Sequence, residues 1–396
     1  PKNWSEAFTA LQNFLQQSKD SKKVVFIDEL SWMDTPKSGF VSALEHFWNA
    51  WATARKEHDI VLIVCGSSTS WITTKIIYNR GGLHNRLTSS IHLQPFTLAE
   101  CENYSKTAGL GFSRTDIANA YMIFGGVPFY WSLLKRGESL PQNIDRLFFA
   151  KDAKLKNEYR EMFASLFKNP APYLDVLTIL CDKKSGLTRE KLAESPKFEN
   201  DGTLTKILDE LDECGFIRRY HKIGQEKKDA LYQIIDNFVL FHFSFLANKK
   251  KTDANFWSKS SNKPLLNSWY GLAFERLCLQ HIEQIKNALG ISGILTDVAS
   301  WNTKPQKSKK GAQIDLIIDR DDGVIDICEM KYSKGKFSIS KTDYDNIKNK
   351  KDVFEHSIKT RKAVQTVLVT SYGSLHNKYY NELVQNEVVL DDLFKL

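Results

Sequence analysis

Residues 312–331 constrain the chain more tightly than any other stretch. Two apolar runs there flank Asp321, Asp322 and Gly323, a combination suited to a tight reversal. Folding the runs back antiparallel about that turn sets Asp315 opposite Glu329, and facing side chains on one sheet surface lie roughly 5 Å apart at Cβ. Strand alternation puts Glu329 and Lys331 on that surface, turns Met330 to the other, and leaves Ile314, Leu316, Ile325 and Ile327 to fill a core. Two facing carboxylates are costly unless a proton or a cation lies between them. Magnesium, or manganese in its place, meets that need: it accepts one or two protein carboxylates and keeps positions for water and phosphate oxygens. A neighbouring ammonium then orients or activates the attacking water while the metal stabilises charge building on phosphorus. Phosphodiester hydrolysis is the chemistry that uses this set. The plainer alternative is a polar hairpin in which Glu329 and Lys331 pair at the surface.

The surrounding pattern predicts an α/β multidomain chain. Residues 269–287 read as a helix, 294–301, 313–319 and 324–331 as strands, 344–354 as a helix and 363–370 as a strand, giving an α/β domain over 262–396. Before it, helices over 173–181, 188–194 and 203–213, closed by Gly215, lead into strands at 216–223 and 230–235 around a polar turn, 224–229. That order is a winged-helix pattern and sets a domain at 166–250, with a lysine-rich linker, 248–263, after it. Its third helix carries Asp209, Glu210, Asp212 and Glu213 against Lys206 alone, so it repels phosphate, and a packing or partner-binding role is expected. Arg218, Arg219, Lys222, Lys227 and Lys228 offer at most sequence-independent backbone contact. At the front, buried-strand runs at 24–27 and 60–65 alternate with a helix over 39–56, and residues 97–136 are helical, broken at Gly125, Gly126 and Pro128. This places an α/β core at 1–96 and a helical subdomain at 97–165.

At 396 residues the chain exceeds what one core usually serves. Its apolar runs fall far short of the ~20 residues that cross a bilayer, so no membrane partner is expected. Six cysteines stand singly without zinc-ligand spacing, which predicts reduced thiols and a cytoplasmic protein. The formal charge of +8 mildly favours a polyanionic partner.

Set in their local sequence, the acidic residues resemble the PD-(D/E)XK nuclease pattern: Glu275 in GLAFER, Asp315 in GAQIDLI, and Glu329 with Lys331 in ICEMKY. The resemblance implies a restriction-endonuclease-like fold, Asp315, Glu329 and Glu275 as metal ligands, Lys331 as the catalytic lysine, and nucleic acid, DNA in particular, as partner. Tyr344 is similar to an auxiliary aromatic of RecB-like relatives. Gln313 departs from the pattern, standing where many relatives carry a glutamate, which weakens metal binding without abolishing it. Lys304, Lys307, Lys309 and Lys310, with Lys334, Lys336, Lys341, Lys348, Lys350 and Lys351, are candidate phosphate contacts.

At the front, Val24-Val25-Phe26-Ile27-Asp28-Glu29 reads as a Walker B strand, delivering Asp28 beside the magnesium of a bound nucleotide and Glu29 to the attacking water. The next strand ends Cys65-Gly66-Ser67-Ser68, a hydroxyl pair at the strand's carboxyl edge. With SWMDTPKSGF, FWNAWATAR, GGLHNRLT, PFTLAE and FGGVPFYW, most of the chain resembles archaeal-type AAA+ ATPases that end in a nuclease-like domain of unknown function. This implies a partial P-loop core with a helical lid, Ser67 or Ser68 as γ-phosphate sensor, and Arg86 as an arginine finger acting across a homo-oligomer; an ordinary surface arginine is the alternative for Arg86. No G-x-x-x-x-G-K-[ST] segment is present, so ATP phosphates lack their cradle, and that loop is expected to precede Pro1. Two functional classes follow: an ATP-gated nuclease, or a regulatory ATPase switch whose nuclease-like tail only docks nucleic acid or a protein.

Overall fold

The computed structural model describes residues 1–66, 69–78, 81–198, 202–223, 230–247, 253–260, 263–303 and 311–395. Ser67, Ser68, the 224–229 turn, the lysines of 304–310 and residues 248–252 and 261–262 of the expected linker lie outside them. The chain is mixed α/β and divides into two compact units, Pro1–Leu93 with Phe163–Pro170, and Gln94–Met162 with Ala171–Leu396.

In the first unit, α1 (Trp4–Gln17) starts where the Asn3 side chain accepts the Glu6 amide, one of the donors a helix start leaves unpaired. It buries Phe8 and Leu15 against Phe40 and Phe47. Strand β1 (Lys23–Ile27), the short α2 (Leu30–Met33), α3 (Phe40–His46) continued by a π-helical stretch, β2 (Ile60–Val64) and α4 (Thr69–Ile72) complete it. β1 and β2 pair in parallel with Ile27 beside Val64, and their root is pinned by Asp59, which accepts from Lys23 at 2.6 Å and from Arg55 at 2.7 Å. The expectation of two fully buried strands is corrected. Val25 and Ile60 are buried, but Val24 is 63% and Phe26 60% exposed, because helices cover one face of the pair only.

The second unit opens with α5 (Leu98–Thr107), α6 (Arg114–Phe124), α7 (Pro128–Ser132), α8 (Leu140–Ile144) and the first residues of α9 (Glu158–Leu166). Next come α10 (Ala171–Cys181), β3 (Leu187–Thr188), α11 (Arg189–Ala193), α12 (Gly202–Glu213), β4 (Ile217–Tyr220) and β5 (Leu231–Ile234), the strands forming an antiparallel sheet in the order β3-β5-β4. Helix α13 (Asn237–Phe245), apolar on nearly every side, seats Phe238, Phe241 and Phe245 among Phe148, Trp257 and Trp269. The remaining elements are α14 (Pro264–Gln280), α15 (Ile282–Ala288), β6 (Thr296–Thr303), β7 (Ala312–Arg320), β8 (Val324–Lys331), β9 (Phe337–Ser338), α16 (Lys341–Ile358), β10 (Ala363–Thr370), β11 (Ser374–Leu375), α17 (Lys378–Leu383) and β12 (Asn386–Val389). Their main sheet runs β12-β10-β8-β7-β6, with the first three strands parallel and β7 and β6 antiparallel.

The single helix expected over 269–287 is two. His281 breaks it with φ −122° and ψ 37°: its Nδ1 meets the Leu277 carbonyl at 2.9 Å while its Nε2 accepts the Leu98 amide at 3.1 Å. A side chain that satisfies the unpaired start of α5 thus sets the end of α14.

Candidate active site

The β7–β8 turn is closed by Gly323 at φ 87°, a conformation glycine adopts without penalty, while Arg320 holds both Asp322 and Asp326. Leu316 pairs with Cys328 and Ile317 with Ile327, the register that sets Asp315 opposite Glu329. Ile314, Leu316, Ile325 and Ile327 are all buried. The polar residues of the two strands, Gln313, Asp315, Glu329 and Lys331, open into a cleft of about 350 Å³. Helix α16 forms its other wall with Asp343, Asn346 and Lys350. Asp343 is fixed by a capping box, its carboxylate accepting the Ser340 amide and hydroxyl at 3.1 and 2.6 Å.

Glu329 is the electrostatic centre of the cleft. Lys331 reaches one carboxylate oxygen at 3.0 Å and Lys350 the other at 2.7 Å. Burial alone lifts a carboxyl pKa, but the charges of Lys350 and then Lys331 outweigh it, and Glu329 stays below the ordinary glutamate value. Burial likewise works against the Lys331 ammonium, and the charge and hydrogen bond of Glu329 override it, holding that lysine above its ordinary value. Paired in this way, Lys331 is a cation fitted to orient water or neutralise developing negative charge. The simple Glu329–Lys331 pair exists, with a second lysine that a surface hairpin does not require. Gln313, the departure from the resembled pattern, donates its amide to Asp315 at 2.7 Å.

Glu275, on α14, does not line the cleft. Burial first, then the charge of Asp315, opposed by Arg276 and reinforced by Glu329, pushes its carboxyl up to about 7. Next to it Arg276 is 2% exposed and donates to the Lys184 carbonyl at 2.9 Å. Arg218 of β4 donates to Gln233 at 2.7 Å, and burial, then Arg276, lowers it to about 10. The Asp315 charge bears on both arginines, so the small antiparallel sheet brings a cation to the back of the site. Beyond β4 the chain runs alongside β6, with the Ile223 amide donating to the Ser300 carbonyl at 3.0 Å and His221 meeting Asp297 at 3.0 Å.

Among the described residues no three His, Cys, Asp or Glu side chains come together as a ready metal site. The two strand carboxylates still suit a hard divalent ion that keeps most of its waters: Asp315 and Glu329 would hold it, with Glu275 outside the cleft. Tyr344 does not line the cleft; it is buried, and its hydroxyl donates to Glu382 with Lys348 3.3 Å away. Of the described lysines named as phosphate contacts, Lys350 lines the cleft and Lys341 is paired with Asp345 at 2.7 Å. Lys350, Asp343 and Asn346 complete a wall that sequence spacing did not assign; the α16 capping box and its helical period were the available signal.

In the first unit, Asp28 follows β1 and Cys65 follows β2, and the Cys65 thiol donates to Asp28 at 2.6 Å. Glu29 has φ 51° and ψ 51°, a left-handed conformation costly for a side-chain-bearing residue and characteristic of functional turns. Arg86 is exposed. All six cysteines are free thiols, and no described helix is long and apolar enough to cross a membrane.

No family model matches the chain. The uncharacterized protein MJECL04 of Methanocaldococcus jannaschii is 22% identical over 317 residues, 79% of this chain and 66% of its own length, so the chain spans just under two thirds of that relative. Among solved structures, the Walker-type ATPase PABY2304 of Pyrococcus abyssi aligns at a TM-score of 0.41 with 15% identity, over 59% of this chain and 65% of its own. Protein VC1899 from Vibrio cholerae aligns at a TM-score of 0.22 with 12% identity, over all of this chain and 79% of its own.

Proposed function

We propose that the β7–β8–α16 cleft hydrolyses phosphodiester bonds of nucleic acid, DNA in the first instance, in a magnesium- or manganese-dependent reaction of the PD-(D/E)XK kind. The observation that carries this is the convergence of Asp315, Glu329 and Lys331 on one cleft. A bound divalent ion would supply charge stabilisation at phosphorus and a water of lowered pKa. Asp315 and Glu329 would hold it, Gln313 would aim the Asp315 carboxylate, and Lys331 would face the oxygens on which charge develops. Lys350, beside Glu329 in the same cleft, would meet a neighbouring phosphate.

In the front unit, the Asp28–Glu29 turn at the carboxyl end of a parallel strand pair supports a nucleotide-dependent role, with Ser67 or Ser68 as sensor and Arg86 as finger in a homo-oligomer. ATP binding in this unit requires a phosphate loop, a motif that residues 1–396 do not contain, and gating of the cleft by ATP is part of the same reading. The second reading, a switch whose tail only docks nucleic acid or protein, is favoured by the ammonium groups already on both oxygens of Glu329.

The test is incubation with linear and single-stranded DNA in magnesium or manganese beside Asp315→Ala and Lys331→Ala. Metal-dependent cleavage lost in both variants is expected. Cleavage unchanged in both removes the site assignment, and no cleavage with retained DNA binding establishes the docking reading.

A further inference from the structure

The second unit holds a larger cavity, about 850 Å³, that shares no residue with the cleft. Lys151, Lys156 and Arg160 line it, and no acidic side chain does. All three cations are exposed, and none of them forms an ion pair among the described residues. Like charges gathered without counter-charges repel one another, so the arrangement is stabilised by an anion.

Phe149 and Leu174 give the same lining an apolar part. There the His242 ring lies flat on Tyr159, centroids 4.0 Å apart at 11°. Burial, and then the charge of Arg160, pushes His242 down to about 4, so it is a neutral ring at physiological pH. Its buried Nδ1 has no hydrogen-bond partner among the described residues.

Size decides between kinds of anion. A volume in the range of roughly 300–1,000 Å³ is that of a small-molecule site, and the lining here is divided between polar and apolar groups; nucleic acid takes a groove that tracks its backbone. We infer that this cavity binds a nucleotide-sized ligand, its phosphates held by Lys151, Lys156 and Arg160 and its ring against the wall of Phe149 and Leu174.

Isothermal titration of the full chain with pyrophosphate, ADP and adenosine tests this without reference to cleavage, so its failure leaves the cleft assignment untouched. ADP is expected to bind more tightly than pyrophosphate, and adenosine more weakly than either. The exposed pair Lys156→Ala/Arg160→Ala should weaken ADP and pyrophosphate roughly tenfold per lost charge-assisted contact while leaving the melting temperature in place. Leu174→Ala should weaken ADP and spare pyrophosphate. Undetectable binding of ADP and pyrophosphate overturns the inference, as does affinity unchanged in the double variant. A single-stranded oligonucleotide that binds more tightly than ADP and is lost in the same variant overturns the small-ligand assignment.

Discussion

Replacing Lys350 by methionine keeps the aliphatic stem and removes one ammonium from Glu329. At 2.7 Å the gross attraction is about 6 kcal/mol for an effective dielectric constant near 20. Most of that is offset by desolvation of the two groups. The Lys350 side chain is 24% exposed and Lys331 still holds the other oxygen, so a net loss of about 1–2 kcal/mol is expected. The pH dependence fixes the cause. Glu329 is held below the ordinary glutamate value, so the lysine's contribution is fully present above that value and is lost as pH falls through the lower folded one. Urea unfolding followed by circular dichroism should therefore separate Lys350→Met from the parent at about pH 7 and narrow that gap at an acidic pH below the ordinary glutamate value. Manganese should recover more stability in the variant than in the parent, because no ammonium competes there for the same oxygen. In a double-mutant cycle with Glu329→Gln the coupling should be about 1 kcal/mol. A loss of equal size at both pH values, or no coupling, refutes the picture of Glu329 as a carboxylate neutralised in place by two lysines.

Two predictions concern residues of the sequence motifs. A Cβ on Gly126 would lie 1.9 Å from the Phe96 carbonyl oxygen, across a contact in which the Phe96 amide donates to the Gly126 carbonyl at 2.8 Å. Gly126→Ala should cost about 3 kcal/mol or more, read as a fall in the thermal midpoint; an unchanged midpoint would show that this backbone approach is not needed. In the first unit the hydrogen bond from Cys65 to Asp28 raises the thiol pKa, which lowers its thiolate fraction and slows alkylation. Asp28→Asn should speed Cys65 modification severalfold at about pH 8, followed by peptide mass spectrometry, and an equal rate would break the link between the two strand ends.

The hairpin was legible because two local rules agree: Asp-Asp-Gly fixes where the chain turns, and alternation then fixes which side chains share a face. Of the elements that follow it, the helix α16 and the strand β10 were expected from their periodicity, whereas β9, β11, α17 and β12 were not assigned. Lys350 was visible only as one basic residue among several, since its partnership with Glu329 spans 21 residues and depends on how α16 packs on the sheet. The break at His281 was hidden because its cause, the Leu98 amide, is 183 residues away. Helix α13 escaped assignment because a segment apolar all round carries no period to read. Several motifs behind the family resemblance serve the fold. Phe96 and Gly126 come from two of them and meet backbone to backbone, and Trp131 donates to the Gly125 carbonyl at 2.8 Å. A resemblance built on such residues speaks more strongly for architecture than for catalysis, and the case for chemistry rests on the cleft.

The charges lining that cleft set a condition on its use. Asp315, Glu329 and Asp343 face Lys331 and Lys350, three carboxylates against two ammoniums. The Asp343 charge is partly absorbed by the start of α16, but the balance still does not favour a phosphodiester, which brings negative charge of its own. On the proposed reading, a divalent ion held by Asp315 and Glu329 would reverse the sign of that balance. Metal and polyanion would then bind with positive coupling, each strengthening the other by the same factor, and a nucleic-acid affinity unchanged by manganese would refute this reading. Without the ion, the excess of carboxylates over ammoniums in the cleft would disfavour a polyanion.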